Sequence, residues 1–240
     1  MKYKKKHIID TNKKLIIKEL FDDVSSKYDL MNDLMSFGLH RVWKRSLIEN
    51  LKNEKANEIL DLAGGTGDIS RALAKKFIDS NVYLYDLSFK MILHGRNSKT
   101  LKPKNLFFLN GSADQLAFKD NSIDIITIAF GLRNFSNLER CILECNRVLK
   151  YGKKIFVLEF SPSVNEFINP YYEFYSKNII PMIGRKVANN KDAYKYLVDS
   201  IKNFPHNLEL EKIFTKNGFF CYNRIKYLGG IAYLNIFTKI

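Results

Sequence analysis

Cysteine and histidine are scarce in this 240-residue chain, at three and four residues. Three is an odd number in a chain of this size, so a disulfide framework is not expected. Cys141 and Cys145 lie four apart, on one face of an expected helix, and Cys221 is remote; they read as buried thiols of a reducing compartment. His7, His40, His94 and His206 are scattered with no metal-ligand spacing, so no metal is expected. No uninterrupted apolar run reaches the roughly 18 residues that a membrane-spanning helix needs. The basic start, Met1 to His7, is not followed by an apolar stretch with a small-residue cleavage site, which argues against a secretory signal. There is no internal repeat, and no low-complexity block beyond that basic start.

What is present is a globular composition, 46% hydrophobic, in a length that suits one domain. We read residues 1–50 as a basic arm and helical cap, and residues 51–240 as a ligand-binding core with an aromatic insertion at 161–190. The net charge of +14 would suit nucleic acid or an anionic membrane. The lysines are spread out, however, and the chain is rich in Lys, Asn, Ile, Phe and Tyr, all with A/T-rich codons. A solvated surface is therefore the expectation, and no nucleic acid partner is expected.

The chain is organised around Ile59-Leu60-Asp61-Leu62-Ala63-Gly64-Gly65-Thr66-Gly67-Asp68. An apolar run, a glycine-rich turn and a helical pattern follow without a gap, which reads as strand, tight loop and helix N-terminus. Such a loop lets a ligand approach the backbone, and the helix end favours polar groups there. Beyond it, strands are expected at 81–86, 105–110, 122–132 and 153–160, with helices at 88–99 and 137–150. Ser88 is a plausible N-cap. Helices at 192–204 and 207–217 come next. Strands at 219–227 and 231–238, joined at Gly229-Gly230, imply an antiparallel hairpin. Alternating strands and helices imply a parallel α/β sheet with right-handed crossovers.

Three ligands compete for the loop. A phosphate-binding P-loop needs Lys and Ser/Thr after the glycines, but Asp68 and Ile69 stand there. A dinucleotide fold wants Gly or Ala at the position of Ser70, which weakens that reading without excluding it. S-adenosylmethionine needs a close backbone and a carboxylate partner but no pyrophosphate cradle, and Asp68 suits it. Asp86 lies 19 positions past Gly67, at a strand end, where a carboxylate can accept hydrogen bonds from both ribose hydroxyls. Ser112-Ala113-Asp114 can meet an adenine edge.

These strings in order resemble the motifs of class I S-adenosylmethionine-dependent methyltransferases. More narrowly, Lys27 to Asp33, Phe37 to Arg45, Phe130-Gly131-Leu132-Arg133-Asn134, Val157 to Ser161 and Tyr194 to Leu197 resemble the ubiquinone/menaquinone biosynthesis C-methyltransferase family. The resemblance implies a Rossmann-like seven-stranded sheet, mostly parallel with an antiparallel C-terminal hairpin, helices on both faces and an N-terminal helical cap. It implies S-adenosyl-L-methionine as cofactor, held by Gly64, Gly65, Thr66, Gly67, Asp86, Ser112, Ala113 and Ala129. It implies Arg133 and Tyr28 as catalytic candidates, with Asn32, His40 and Asn134 facing the substrate. That substrate is a polyprenyl hydroquinone, methylated at a ring carbon, in the ubiquinone pathway, the menaquinone pathway or both. The aromatic insertion and the Met31-to-Met35 segment are candidates to shelter its tail. Peripheral association with the inner face of the membrane, from the cytoplasm, then follows from the substrate's solubility. A homo-oligomer or a quinone-biosynthesis complex stays open, as do a methyltransferase for another small molecule or RNA and a non-catalytic binding protein. The chain departs from the family pattern at Ala129, often Ser, and at Ser112 and Asp114, more usually Asn and Glu.

Overall fold

The computed structural model describes residues 15, 17–20, 22, 33, 36, 38–97, 103–162 and 191–240. Tyr28, Asn32, the segment Met31 to Met35 apart from Asp33, and nearly all of the aromatic insertion lie outside the described residues. Helix α1 (His40–Asn50) comes first, then β1 (Glu58–Leu62), α2 (Asp68–Lys76), β2 (Asn81–Asp86) and α3 (Phe89–Asn97). β3 (Leu106–Asn110), β4 (Ile123–Ala129), a 3-10 turn (Leu132–Asn134) and α4 (Leu138–Val148) follow. The rest is β5 (Leu149–Phe160), α5 (Lys191–Lys202), α6 (Asn207–Lys216), β6 (Phe219–Tyr227) and β7 (Ala232–Lys239).

The seven strands form one sheet in the order β3-β2-β1-β4-β5-β7-β6. β1 to β5 run parallel, and β7 lies antiparallel between β5 and β6. The order reverses at β1, because β2 and β4 lie on its two sides. A crevice opens at the carboxyl ends of strands at such a switch point.

The central strands are apolar on both faces, as a covered parallel sheet requires. Ile59, Val82 and Ile125 face one core, with Trp43 and Leu47 of α1 and Ile69 and Leu73 of α2. Their neighbours Leu60 and Ile126 face the other, with Ile142 and Val148 of α4 and Leu210 and Phe214 of α6. Leu47 of α1 and Leu51 just past its end are fully buried, each contributing about 2 kcal/mol of apolar burial. Trp43 stacks on Tyr227 at 5.9 Å and meets Phe160 edge-on at 6.1 Å. The Tyr227 hydroxyl hydrogen-bonds Ser46 Oγ at 2.7 Å. Helix α1 is thus pinned to the C-terminal hairpin.

Three boundaries differ from expectation, each for a local reason. The strand expected to reach Leu132 stops at Ala129, because Phe130 takes φ +59° and turns the chain out of the sheet. β5 starts at Leu149 rather than Lys153, running straight on from α4. The hairpin turn occupies Leu228 to Ile231, since Tyr227 pairs with Ala232, so it is longer than two glycines. Ser88 does cap α3, accepting from Met91 N at 3.1 Å.

Candidate active site

At the carboxyl edge of β1, the turn Gly64 to Gly67 closes with Gly67 N donating to Gly64 O at 2.9 Å. Gly67 sits at φ +88°, and a Cβ there would stand 2.8 Å from Leu84 Cδ1. Only glycine fits both constraints. The turn delivers Asp68 to the first turn of α2.

The carboxylates beside this turn are held by the chain itself. Asp61 is buried, accepting from Ser70 Oγ in a short hydrogen bond and from Thr127 Oγ1 at 2.8 Å. Burial outweighs those bonds and pushes its carboxyl up to about 6. Ser70, the residue that departs from the dinucleotide pattern, is therefore the partner of the motif's own acid. Asp86 accepts from Gly65 N and Ser88 N, both at 2.8 Å. It thus shapes the loop and the start of α3, and it also lines the cavity. Burial raises its carboxyl above the usual range, against these amide bonds. Asp68 is engaged by Lys44 Nζ at 3.1 Å and Arg71 Nη2 at 3.3 Å, and despite the opposing effect of its burial these cations lower its carboxyl.

A cavity enclosing roughly 720 Å³ of space, open solvent included, lies over this edge. Gly65, Asp86, Ser112, Ala113 and Asn134 line it, with Ile17 and Lys18 of the N-terminal segment on its rim. A smaller recess of about 330 Å³ adjoins it, lined by Lys44, Asp61, Gly64, Thr66, Asp68 and Ala129. The two share Ala63 and Gly65. Thus Gly64, Gly65, Thr66, Asp86, Ser112, Ala113 and Ala129 gather at one continuous site, with Gly67 shaping the loop behind it.

Two functional candidates sit otherwise than the sequence implied. Arg133 has no exposed side chain: its Nη1 donates to Phe130 O at 2.7 Å and to Glu159 Oε1 at 2.5 Å. Its backbone N also donates to Glu159 Oε2, at 3.2 Å. Its guanidinium lies over the Phe160 ring at 5.5 Å. It is neither a surface cation nor a wall of the cavity; Phe130, Gly131 and Asn134 form that wall. His40 is buried on α1, where its Nε2 meets Asp33 Oδ1 at 2.8 Å. Asn134 accepts from the Tyr196 hydroxyl of α5 at 3.2 Å.

Sequence reasoning missed Lys44, Ser70, Glu159 and Tyr196. Lys44 had a signal, its place one turn after His40 on the α1 stripe. The pairs Arg133–Glu159 and Asn134–Tyr196 span 26 and 62 residues and leave no trace in local spacing. Cys141 and Cys145 are buried, as expected, and burial pushes the Cys145 thiol up to about 12.

The site can be weighed against S-adenosylmethionine by its donor set alone. A carboxylate on the wall of the larger cavity suits a ribose diol. A cation and two carboxylates around the smaller recess suit the charged amino-acid end, whereas three acids at one loop oppose a pyrophosphate. The residues fit.

The comparisons with known proteins agree. Among solved structures, a SAM-dependent methyltransferase from Aquifex aeolicus superposes with a TM-score of 0.62 at 16% identity, covering 91% of this chain and 98% of that one. A putative methyltransferase of Haloferax volcanii, in complex with its Trm112 activator, gives 0.66 at 15% identity over 91% and 97%. Such likeness establishes the fold. Curated relatives are nearer in sequence. The "Ubiquinone/menaquinone biosynthesis C-methyltransferase UbiE" of Rickettsia bellii is 41% identical, covering 98% of this chain and 97% of the relative. That of Idiomarina loihiensis is 38% identical over 93% and 90%. The model of the ubiE/COQ5 methyltransferase family matches residues 7–239. With that model matching nearly the whole chain and relatives about 40% identical along their length, the chain belongs to the ubiE/COQ5 methyltransferase family.

Proposed function

We propose that this protein methylates a ring carbon of a polyprenyl hydroquinone, demethylmenaquinol or 2-methoxy-6-polyprenyl-1,4-benzoquinol, using S-adenosyl-L-methionine. The observation that carries the reading is the two-compartment cavity at the switch point, with family residues on its walls. When bound, S-adenosylmethionine supplies an electrophilic methyl group. Everything else falls to the chain. Asp86 takes the ribose hydroxyls on the lone pairs left by Gly65 and Ser88. Ser112 and Ala113 bound the adenine. Thr66 and Lys44 hold the amino-acid end, where Lys44 offers charge to a carboxylate. Asn134, fixed by Tyr196, presents its amide to the quinol. The Arg133 guanidinium, buried behind the corner, biases the site toward a developing phenolate. The family resemblance alone assigns Tyr28 and Asn32 to the quinol.

The quinol lives in a membrane, and among the described residues no helix is long and apolar enough to cross one. We therefore place the enzyme peripherally, with its basic N-terminus toward anionic lipid. Assembly with itself or with other quinone-biosynthesis proteins belongs to the same proposal.

Incubation with methyl-labelled S-adenosylmethionine and short-tail versions of both quinols tests the reading. Label is expected in at least one methylated quinol, and which one assigns the pathway. Label in neither, with cofactor bound, sinks the substrate assignment.

A further inference from the structure

Among the described residues that line the smaller recess, Lys44 is the one cation, and it stands directly against an acid of the same wall. Its Nζ donates to Asp68 Oδ2 at 3.1 Å. The Lys44 side chain is sheltered, at 13% exposure, whereas that of Asp68 is 41% exposed. Neither partner is used up by the other. An ammonium has three donors, of which Lys44 spends one on Asp68. A carboxylate has about four lone-pair sites; Asp68 fills one from Lys44 and one from Arg71 Nη2, at 3.3 Å. The other acid of the recess is different. Asp61 is 1% exposed, and each of its oxygens already accepts from a hydroxyl, Oδ2 from Ser70 and Oδ1 from Thr127.

Both members of the pair are anchored. Lys44 springs from α1, whose Trp43 and Ser46 are tied to Tyr227. Asp68 opens α2, where the helix end favours a negative charge. Against the effect of its burial, Lys44 and then Arg71 lower the Asp68 carboxyl, so it is ionised near pH 7. The recess therefore presents a positive and a negative charge side by side, each with bonding capacity to spare. An α-amino-acid end carries the complementary two, a carboxylate and an ammonium on one carbon. Set against the pair, it makes the charges alternate, so that each meets an opposite neighbour and no net charge is sheltered from water. The recess and the larger cavity share Ala63 and Gly65, so one ligand can occupy both.

We propose that Lys44 and Asp68 act as one reader of the cofactor's α-amino-acid end, Lys44 taking its carboxylate and Asp68 its ammonium, an inference that rests on the S-adenosylmethionine reading above. The pair makes the recess a selectivity element. A ligand with both charges satisfies both members. A ligand cut back to its thioadenosine part leaves the pair as it stands and gains nothing there. A ligand that keeps the ammonium but lacks the carboxylate serves Asp68 alone and brings a second positive charge toward Lys44. Asp61, already bonded through both oxygens, holds the turn in shape and is not a partner.

The test is calorimetric binding to the full chain with three probes: S-adenosylhomocysteine, its decarboxylated analogue, and 5′-methylthioadenosine, which has no amino-acid end. Wild type is expected to bind them in that order of falling affinity for the first against the other two. Lys44→Met keeps most of the stem and drops the charge. It is expected to weaken S-adenosylhomocysteine about 10–100-fold while leaving methylthioadenosine within about twofold, and the decarboxylated analogue is not weakened. Asp68→Asn is expected to weaken both amine-bearing probes by about tenfold or more and to spare methylthioadenosine. Equal losses of all three probes in either variant would mean a distorted turn and overturn the proposal. Undiminished S-adenosylhomocysteine affinity in Lys44→Met would give the carboxylate to the backbone amides of α2 and overturn it too. If wild type binds S-adenosylhomocysteine no more tightly than methylthioadenosine, the pair fails while the adenosine seat stands. If wild type binds neither, the cofactor reading fails and the proposal with it.

Discussion

Around the glycine turn the acids are already engaged by the protein. Asp61 is held by Ser70 and Thr127, Asp86 by two backbone amides, and Asp68 by Lys44 and Arg71. On the facing side, at α1 and the Phe130-to-Asn134 corner, the bonding is less complete: His40 Nδ1 is buried without a partner. The first region is a preorganised seat, whose shape does not depend on what sits in it. The second leaves one buried polar atom without a hydrogen bond. Binding favours the first arrangement, because little order remains to be created on association.

The contrast can be broken most forcefully at Arg133. Arg133→Ala strands the Glu159 carboxylate in the core, so unfolding free energy is expected to drop by about 3–5 kcal/mol, measured by urea titration. Replacing both partners, Arg133→Met with Glu159→Leu, is expected to recover much of that stability and none of the turnover. Recovery of turnover would show that the pair serves packing alone.

A smaller effect is expected on the seat. Asp86→Ala removes charged hydrogen bonds, each contributing about 1.5–3 kcal/mol. Calorimetric affinity for S-adenosylhomocysteine is then expected to fall about 10–100-fold, with the sheet still folded. Unchanged affinity would confine Asp86 to shaping the loop and capping α3.

The smallest expected effect is a pH slope. Asp61 keeps its proton in the folded chain up to about pH 6 but loses it near 3.8 when unfolded. Between those values the folded state binds more protons, so this group's contribution to stability declines as pH rises through that window. Asp61→Asn is expected to remove that decline. Urea midpoints of both proteins at pH 4.5 and 7 check it, because the other titrating groups are common to the pair. Parallel slopes would mean that the carboxyl is ionised throughout.

Legibility from sequence divides along similar lines. The seat could be read because its parts are contiguous or one strand apart: Gly64 to Asp68 in one turn, and Asp86 at the end of the next strand. The final hairpin and the caps were equally local. Other features were hidden. The end of β4 depends on Phe130 adopting a left-handed backbone, which no propensity favours for an aromatic residue. Ser70 looked like a departure from a glycine pattern, whereas its value lies in touching Asp61 nine residues back. Arg133 drew notice by its place after a strand, yet its burial is set by Glu159 on another strand. The resemblance named His40, but its contact with Asp33, and the fork that Arg41 makes on Asp33, left no trace in the spacing.

The pinning of α1 by the last hairpin bears on how the protein is made. Helix α1 leaves the ribosome early, with Trp43 on its inner face. The rings it needs come from Phe130, Phe160 and, last, Tyr227. The seat of this helix, and of Lys44 on it, therefore depends in part on a contact 181 positions away in the chain. Competence for chemistry is conferred by the end of the chain on its beginning.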